Sequence, residues 1–383
     1  MGTTNRRIDW GELKMRILQI GLSHNPGGVE SFVMNYYREL VKYGVQFDFI
    51  SMYDSLAYED EIKSLGGTVF YISNVKRHPI RFRRELLKIL KKGKYAAIHV
   101  NMLSAANIVP LEIGKKAGVP KVIAHSHNSS TPGLLRNILH RLNKPRILHY
   151  ATDFFACSKV AGKWLFDEKT MRSDRFHIIH NALHVEKFFY HETIRQKIRE
   201  ELGVENRFVV GHVGRFEEQK NHEFLIDIFN EIAKEREDAV LLLIGDGELK
   251  EQITAKVQEY AIENQVQFLG VRKDIPQLWN AMDVFVFPSL FEGLPLVALE
   301  AQASGVCSVM ADTISKEVKI TDAVTFLPLA HNAKEWKEYI LELGSVGRTE
   351  VQNAIIKEQF QCAGYDIMTA GKQLLEYYKK SYI

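Results

Sequence analysis

At 383 residues the chain exceeds a comfortable single hydrophobic core, so two domains are expected. Its composition, 46% hydrophobic and 25% charged, is that of an ordinary globular protein; no apolar run is long enough to span a bilayer, and three cysteines far apart (Cys157, Cys307, Cys362) leave little scope for a disulfide framework and show no metal-ligand spacing. The net charge of +3 conceals a split, with 29 Lys and Arg against 16 Asp and Glu in residues 1–190 and 21 against 31 in residues 191–383, which points to a basic face on the first half.

The opening stretch MGTTNRRIDWGELK is polar and lacks the apolar core of a signal peptide, which together with the cysteine usage points to the cytoplasm. Short β-rich runs then alternate with amphipathic segments. MRILQIG, VQFDFIS, TVFYI, YAAIHV, KVIAHS and DFFACS are the strand candidates of the first half, with helical patterns such as VESFVMNYYRELVKYG between them. The series restarts with RFVVGHVG, AVLLLIGDG, VQFLG, DVFVFPS and GVCSVMAD. Strand–helix alternation means parallel sheets covered on both faces, and the restart means two doubly wound domains in tandem. The chain closes in helical sequence, VQNAIIKEQF and YDIMTAGKQLLEYYKKSYI. Because ligands bind beyond the carboxyl ends of parallel strands, the loops after strands are the ones to read, and two such domains facing each other would make one deep cleft.

After the first strand, LSHNPGGVE places Gly27 and Gly28 at a helix N-terminus, where free N–H groups favour anions. The spacing is not the dinucleotide fingerprint, and a plain turn between strand and helix is the better reading of this loop alone. In GHVGRFEEQKNHEFL, Arg215 and Lys220 follow a central strand and precede a helix starting near Asn221. Two cations there can neutralise a diphosphate, while Glu217 and Glu218 equally suit a solvated charged loop. The strongest local signal is DVFVFPSLFEGLPLVALEAQASG. A loop holds Glu292 and Gly293, a helix begins near Pro295, and Glu300 is the polar exception in an apolar helix. A buried carboxylate needs partners, and paired sugar hydroxyls would supply them; otherwise Glu300 caps a backbone group or faces solvent.

These stretches together resemble glycosyltransferase family four, retaining enzymes of the GT-B fold of the kind that builds bacterial exopolysaccharide or capsule. FEGLPLVALEAQASG is similar to the family's Glu-x7-Glu motif, GRFEEQK to its Gly-Arg-x4-Lys diphosphate motif and NPGGVE to its N-terminal glycine loop. IIHNALHVEKF resembles the family's Pro-Asn-Gly-Val-Asp…Phe segment, with His180 in place of the usual Pro and Ala182 in place of Gly. The likeness runs from about residue 15 to residue 365. It implies that Glu300 binds the ribose hydroxyls, that Glu292 lies by the donor sugar with the backbone of Gly293 and Leu294 on its hydroxyls, and that Arg215 and Lys220 hold the diphosphate. Gly27 and Gly28 would cover the phosphates, His127 would lie beside the donor sugar, and Val271 and Arg272 would contact the base. His125, two residues before His127, would lie within a strand and is the weaker candidate.

The resulting expectation is a GT-B fold of two Rossmann-like domains, 1–187 for the acceptor and 188–365 for the donor, with a helix over 366–383 returning to the first. The expected reaction moves a hexosyl or N-acetylhexosaminyl group from a UDP-sugar to an acceptor hydroxyl with retention. Glu292, His127, Arg215 and Lys220 are the catalytic candidates. No cofactor and no metal are expected, because no Asp-x-Asp occurs in the chain. The alternatives are a UDP-sugar epimerase, which product analysis with UDP-sugar alone would separate, and a non-catalytic nucleotide-sugar-binding protein. Nucleic acid is not an expected partner, since no aromatic-interleaved basic motif is present. The basic stretches Lys76 to Lys94 and Leu134 to His149 suggest mainly electrostatic docking of the first domain on the inner face of an anionic membrane, with a lipid-linked oligosaccharide or another sugar as acceptor.

Overall fold

Two parallel sheets organise the computed structural model, which describes residues 15–380; the polar opening stretch 1–14 lies outside it. The first sheet is built from β1 (Met15–Ile20), β2 (Val45–Ser51), β3 (Val69–Tyr71), β4 (Ala97–Met102), β5 (Lys121–Ser126), β6 (Asp153–Ala156) and β7 (Phe176–Ile178). Its order is β3-β2-β1-β4-β5-β6-β7. The second contains β8 (Phe208–Val213), β9 (Ala239–Ile244), β10 (Val266–Gly270), β11 (Val284–Phe287), β12 (Cys307–Ala311) and β13 (Val324–Leu327), in the order β10-β9-β8-β11-β12-β13. Strands such as AVLLLI are buried along their whole length because helices cover both faces, so their sequences read as continuous apolar runs without alternation.

In each sheet the chain moves outward from its first strand, then returns to place the fourth strand against the other side of the first. These reversals, between β1 and β4 and between β8 and β11, open a crevice at the carboxyl ends of the strands. The loops after β1, β8 and β11 therefore occupy the positions where ligands bind in folds of this kind.

The chain divides into two compact units. The first runs to Ala182 and resumes at Ile367; the second is Leu183–Asp366. The expected boundary at 187/188 thus falls inside the second unit. The reason is local: Leu183 donates its N–H to Tyr365 O at 3.0 Å and pairs with Asp366, while Val185 is buried in the second core. The terminal helix Ile367–Lys379 packs on the helix Gly28–Leu40, and Tyr378 Oη bonds His99 Nδ1 at 2.7 Å.

The basic helix Pro79–Gly93 buries Phe82, Leu86 and Leu90 in the core of the first unit and leaves Arg84, Lys88, Lys91 and Lys92 exposed. Its apolar stripe faces the core. No helix among the described residues is long and apolar enough to cross a membrane.

Candidate active site

The loops after β8 and β11 are stitched together at the crevice of the second sheet. After β8 the backbone passes Gly214 and Arg215, makes a short 3-10 turn over Glu218–Lys220, and enters the helix His222–Ala233 through Asn221, whose φ of +55° is the left-handed conformation that asparagine tolerates better than most residues. Close approach sets the glycines here: a Cβ on Gly245, after β9, would meet Gly214 O at 1.9 Å. Three consecutive side chains of the β8 loop then reach the β11 loop. Gln219 Nε2 donates to Phe291 O at 2.9 Å, Lys220 Nζ to Glu292 Oε1 at 2.5 Å, and Asn221 Nδ2 to Pro288 O at 3.1 Å.

Lys220 and Glu292, 72 positions apart, are thus brought into one ion pair that is mostly shielded from water. Lys220 Nζ also lies 4.8 Å from the centroid of the Phe287 ring. Arg215 stands apart from them: it is exposed and, among the described residues, forms a salt bridge only with Glu217, at 2.8 Å. Beyond Glu292 the exposed Gly293 has no protein atom near where a Cβ would lie, so the backbone there is open to a ligand. The helix Leu296–Ala303 follows, with Pro295 immediately before it.

Glu300 sits within that helix and is half-buried. Surrounding protein strips water from its carboxyl and raises its pKa to about 7. Only the Trp279 indole N–H opposes this, favouring the charged form from outside hydrogen-bond geometry. A desolvated carboxyl held this way has unused capacity to accept hydrogen bonds from a ligand. At the end of β10, Val271 is exposed. Arg272 is held by Asp274 at 2.6 Å and Glu201 at 3.3 Å, and Asp274 raises its pKa. Val271 and Arg272 thus differ: one offers open backbone and apolar surface, the other a guanidinium already committed to two carboxylates.

In the first unit, Gly27 precedes the helix Gly28–Leu40. A Cβ on Gly27 would crowd Glu30 Oε2 at 2.9 Å, whereas one on Gly28 would meet nothing. Glu30 is buried and accepts Ser23 N–H at 2.7 Å, which curls the loop over the helix start. Phe32 of the same helix makes an edge contact with the His127 ring, centroids 4.9 Å apart. His127 follows β5, and its Nε2 lies 2.8 Å from Asn101 Oδ1. Asn101 Nδ2 donates to Gln19 Oε1 and Ile20 O, which orients the amide. That assignment makes His127 Nε2 the donor and leaves Nδ1 as the acceptor. Burial lowers the His127 pKa to about 3, so the ring is neutral at physiological pH. His125 is fully buried in β5 and bonded through Nδ1 to His99 Nε2 at 2.9 Å, the structural alternative to a ligand role.

Residues 194–359 match the family described as Glycosyl transferases group 1, and residues 26–187 match Glycosyltransferase Family 4. A Bacillus subtilis (strain 168) protein named as a glycosyltransferase, EpsF, is 35% identical over 374 residues, covering 96% of this chain and 97% of its own. The chain belongs to glycosyltransferase family four. Another relative of this family-four chain is the Escherichia coli UDP-Gal:alpha-D-GlcNAc-diphosphoundecaprenol alpha-1,3-galactosyltransferase, 31% identical over 237 residues, or 59% of this chain and 60% of its own. Among solved structures, Anabaena Alr3699/HepE in complex with UDP superposes with a TM-score of 0.76 at 21% identity, covering 95% of this chain and all of its own, which shows a shared GT-B glycosyltransferase fold.

Lys220 and Glu292 lie in separate sequence motifs, and neither motif signals that they pair. Gln219 and Asn221, which tie the two loops, and Asn101, which sets the His127 tautomer, are site positions that the sequence motifs do not single out. Asn221 carried a signal, an asparagine at the start of a helix after a strand; Asn101, inside a strand, carried none.

Proposed function

We propose that this glycosyltransferase moves a hexosyl or N-acetylhexosaminyl group from a UDP-sugar to a hydroxyl of a lipid-linked oligosaccharide, with retention and without a metal, in the building of a cell-surface polysaccharide. The observation that carries the reading is the pairing of Lys220 with Glu292 at the β8/β11 crevice, beside the helix in which Glu300 holds a desolvated carboxyl with unused acceptor capacity. The resemblance and the names of the relatives support UDP as donor and a diphosphoundecaprenol-linked acceptor.

In this reading Glu300, ionised on binding, accepts both ribose hydroxyls. Lys220 and Arg215 hold the diphosphate, whose negative charge grows as the sugar C1–O bond breaks. Lys220 must then share its charge between Glu292 and the phosphate, so the carboxylate that positions it also tempers it. The backbone of Gly293 and Leu294 and the Glu292 carboxylate orient the sugar, and Val271 faces the base. In the first unit, the amides at the start of the helix Gly28–Leu40, next to Gly27, suit phosphate oxygens. His127 Nδ1 suits a donor-sugar hydroxyl. The acceptor oxygen forms the new bond to C1 on the face the diphosphate leaves, and its proton passes to the departing phosphate oxygen.

Thermal shift with a panel of nucleotide sugars tests the donor. UDP-sugars at 100 times their Kd should stabilise the protein by about 2.7 kcal/mol. Glu300→Ala should abolish the shift while the fold survives, since each lost charge-assisted bond is worth roughly 1.5–3 kcal/mol. Stabilisation by GDP-sugars alone would overturn the base assignment, and an unchanged UDP response in Glu300→Ala would overturn the ribose role.

A further inference from the structure

The helix Leu134–Asn143, which follows the His127 loop, buries a histidine, His140, and turns its leucines and isoleucine outward. Its body-facing side is held by His140, buried, which accepts Ala105 N–H at 3.1 Å and stacks on Trp164 with centroids 4.0 Å apart. Arg136 Nε reaches Ser104 Oγ at 3.3 Å. The other side carries Leu134, Leu135 and Leu142, which are 80%, 71% and 66% exposed, together with the exposed Ile138 and Leu139. Nothing in the core of the first unit uses this stripe. A soluble surface helix normally shows the reverse arrangement.

Charge points to what covers it. Between residues 117 and 166 the sole acidic residue is Asp153, and it is buried. Arg141 on the helix and Lys159 and Lys163 on the neighbouring segment are exposed and form no salt bridge among the described residues. Lys144 links the two segments, its Nζ donating to Lys163 O at 2.9 Å and Trp164 O at 2.8 Å. An apolar strip only about 15 Å long falls well short of the roughly 800 Å² that a stable protein partner buries on each side. Two copies would also set cations against cations. Anionic lipid meets both requirements, with phosphates for the cations and an acyl boundary for the leucines.

We propose that the helix Leu134–Asn143 lies in the headgroup–acyl boundary of an anionic bilayer, with Arg141, Lys159 and Lys163 on the lipid phosphates. This goes beyond the electrostatic docking read from the sequence, because the leucines supply an apolar component that salt does not screen. It gives the proposed lipid-linked acceptor a reason to be near the His127 loop, and its test does not depend on that acceptor or on the donor.

The test is co-sedimentation of the full chain with phosphatidylcholine vesicles containing increasing phosphatidylglycerol, at low and high salt. Binding should rise with anionic lipid and keep a residual part at 1 M salt, where the Debye length is about 3 Å. The double substitution Leu135→Gln with Leu142→Gln should lower partitioning roughly ten-fold or more for each leucine moved out of the acyl boundary and abolish the salt-resistant part. Arg141→Gln should lower only the low-salt binding. Cooperative thermal unfolding of each variant without ligand shows whether it is folded; the UDP thermal shift is read separately, and its failure in the wild type would strike the donor reading alone. Absence of wild-type binding to anionic vesicles at low salt, or a double variant that partitions as the wild type does, would overturn the proposal. So would a wild-type dimer that the double substitution dissociates, since a second copy would then cover the stripe.

Discussion

Glu300 is the side chain whose chemistry can be read most sharply in solution. Its pKa is about 7 in the folded protein against an ordinary value of 4.5, because burial disfavours the charge. The folded state therefore holds this proton through the window from 4.5 to 7, where an unfolded chain has released it. Stability from this group is largest below pH 4.5 and falls as pH rises through 7. Glu300→Gln should stabilise the ligand-free protein at pH 8 by up to about 3 kcal/mol and have little effect near pH 4.5, as read from urea unfolding at the two pH values. Binding runs the other way. If the ribose hydroxyls donate to the ionised carboxylate, UDP affinity should fall about ten-fold per pH unit below 7, and Glu300→Gln should bind weakly with a flat profile. An affinity independent of pH between 5 and 8 in the wild type would show that the ribose does not engage this carboxylate. His127, with a pKa of about 3, should add no limb to that profile.

At the scale of elements, the two loops at the β8/β11 crevice should behave as one unit. Arg215→Ala removes an exposed cation and should leave stability intact while slowing turnover. On the role proposed for Lys220 at the leaving diphosphate, Lys220→Ala should slow turnover on the order of 10²–10³, and it leaves Glu292 without its lysine. Adding Glu292→Gln to Lys220→Ala should restore the lost stability and leave turnover low; recovery of turnover in the double variant would show that the lysine serves only the fold. The motifs on these loops were legible because each combines strand, turn and helix signals over a short span. Their pairing was not, since register between β8 and β11 is set by the sheet. The long central strands were equally legible as apolar runs. The edge strands β7 and β13 escaped notice: Phe176–Ile178 and Val324–Leu327 are three and four residues long and partly solvated, so neither a buried run nor an alternation is established. The helix Leu134–Asn143 is basic in sequence, and the outward direction of its leucines follows from His140 facing the body, which composition does not show. For the helix Pro79–Gly93 the same kind of sequence has its apolar stripe in the core, so composition alone does not separate the two.

For the whole molecule, the basic balance of residues 1–190 and the acidic balance of residues 191–383 track the two units closely. The cations proposed to hold the diphosphate, Arg215 and Lys220, lie in the acidic half, where they are paired with Glu217 and Glu292. Positive side chains in a fixed position can stabilise a leaving diphosphate in the way a bound metal does elsewhere. Turnover should therefore persist in EDTA and gain little from added magnesium or manganese; full loss in EDTA, restored by either metal, would contradict the metal-free proposal. The central claim, that this chain cleaves a UDP-sugar at the β8/β11 crevice with retention, is tested most directly by proton NMR of UDP-hexoses incubated with the protein in EDTA, with water as the slow acceptor. The account predicts release of UDP with the α-hexose appearing first from an α-linked donor, and a loss of about 10²–10³ in that rate in Lys220→Ala. A β-hexose appearing first, or no UDP released from any UDP-hexose, would contradict it.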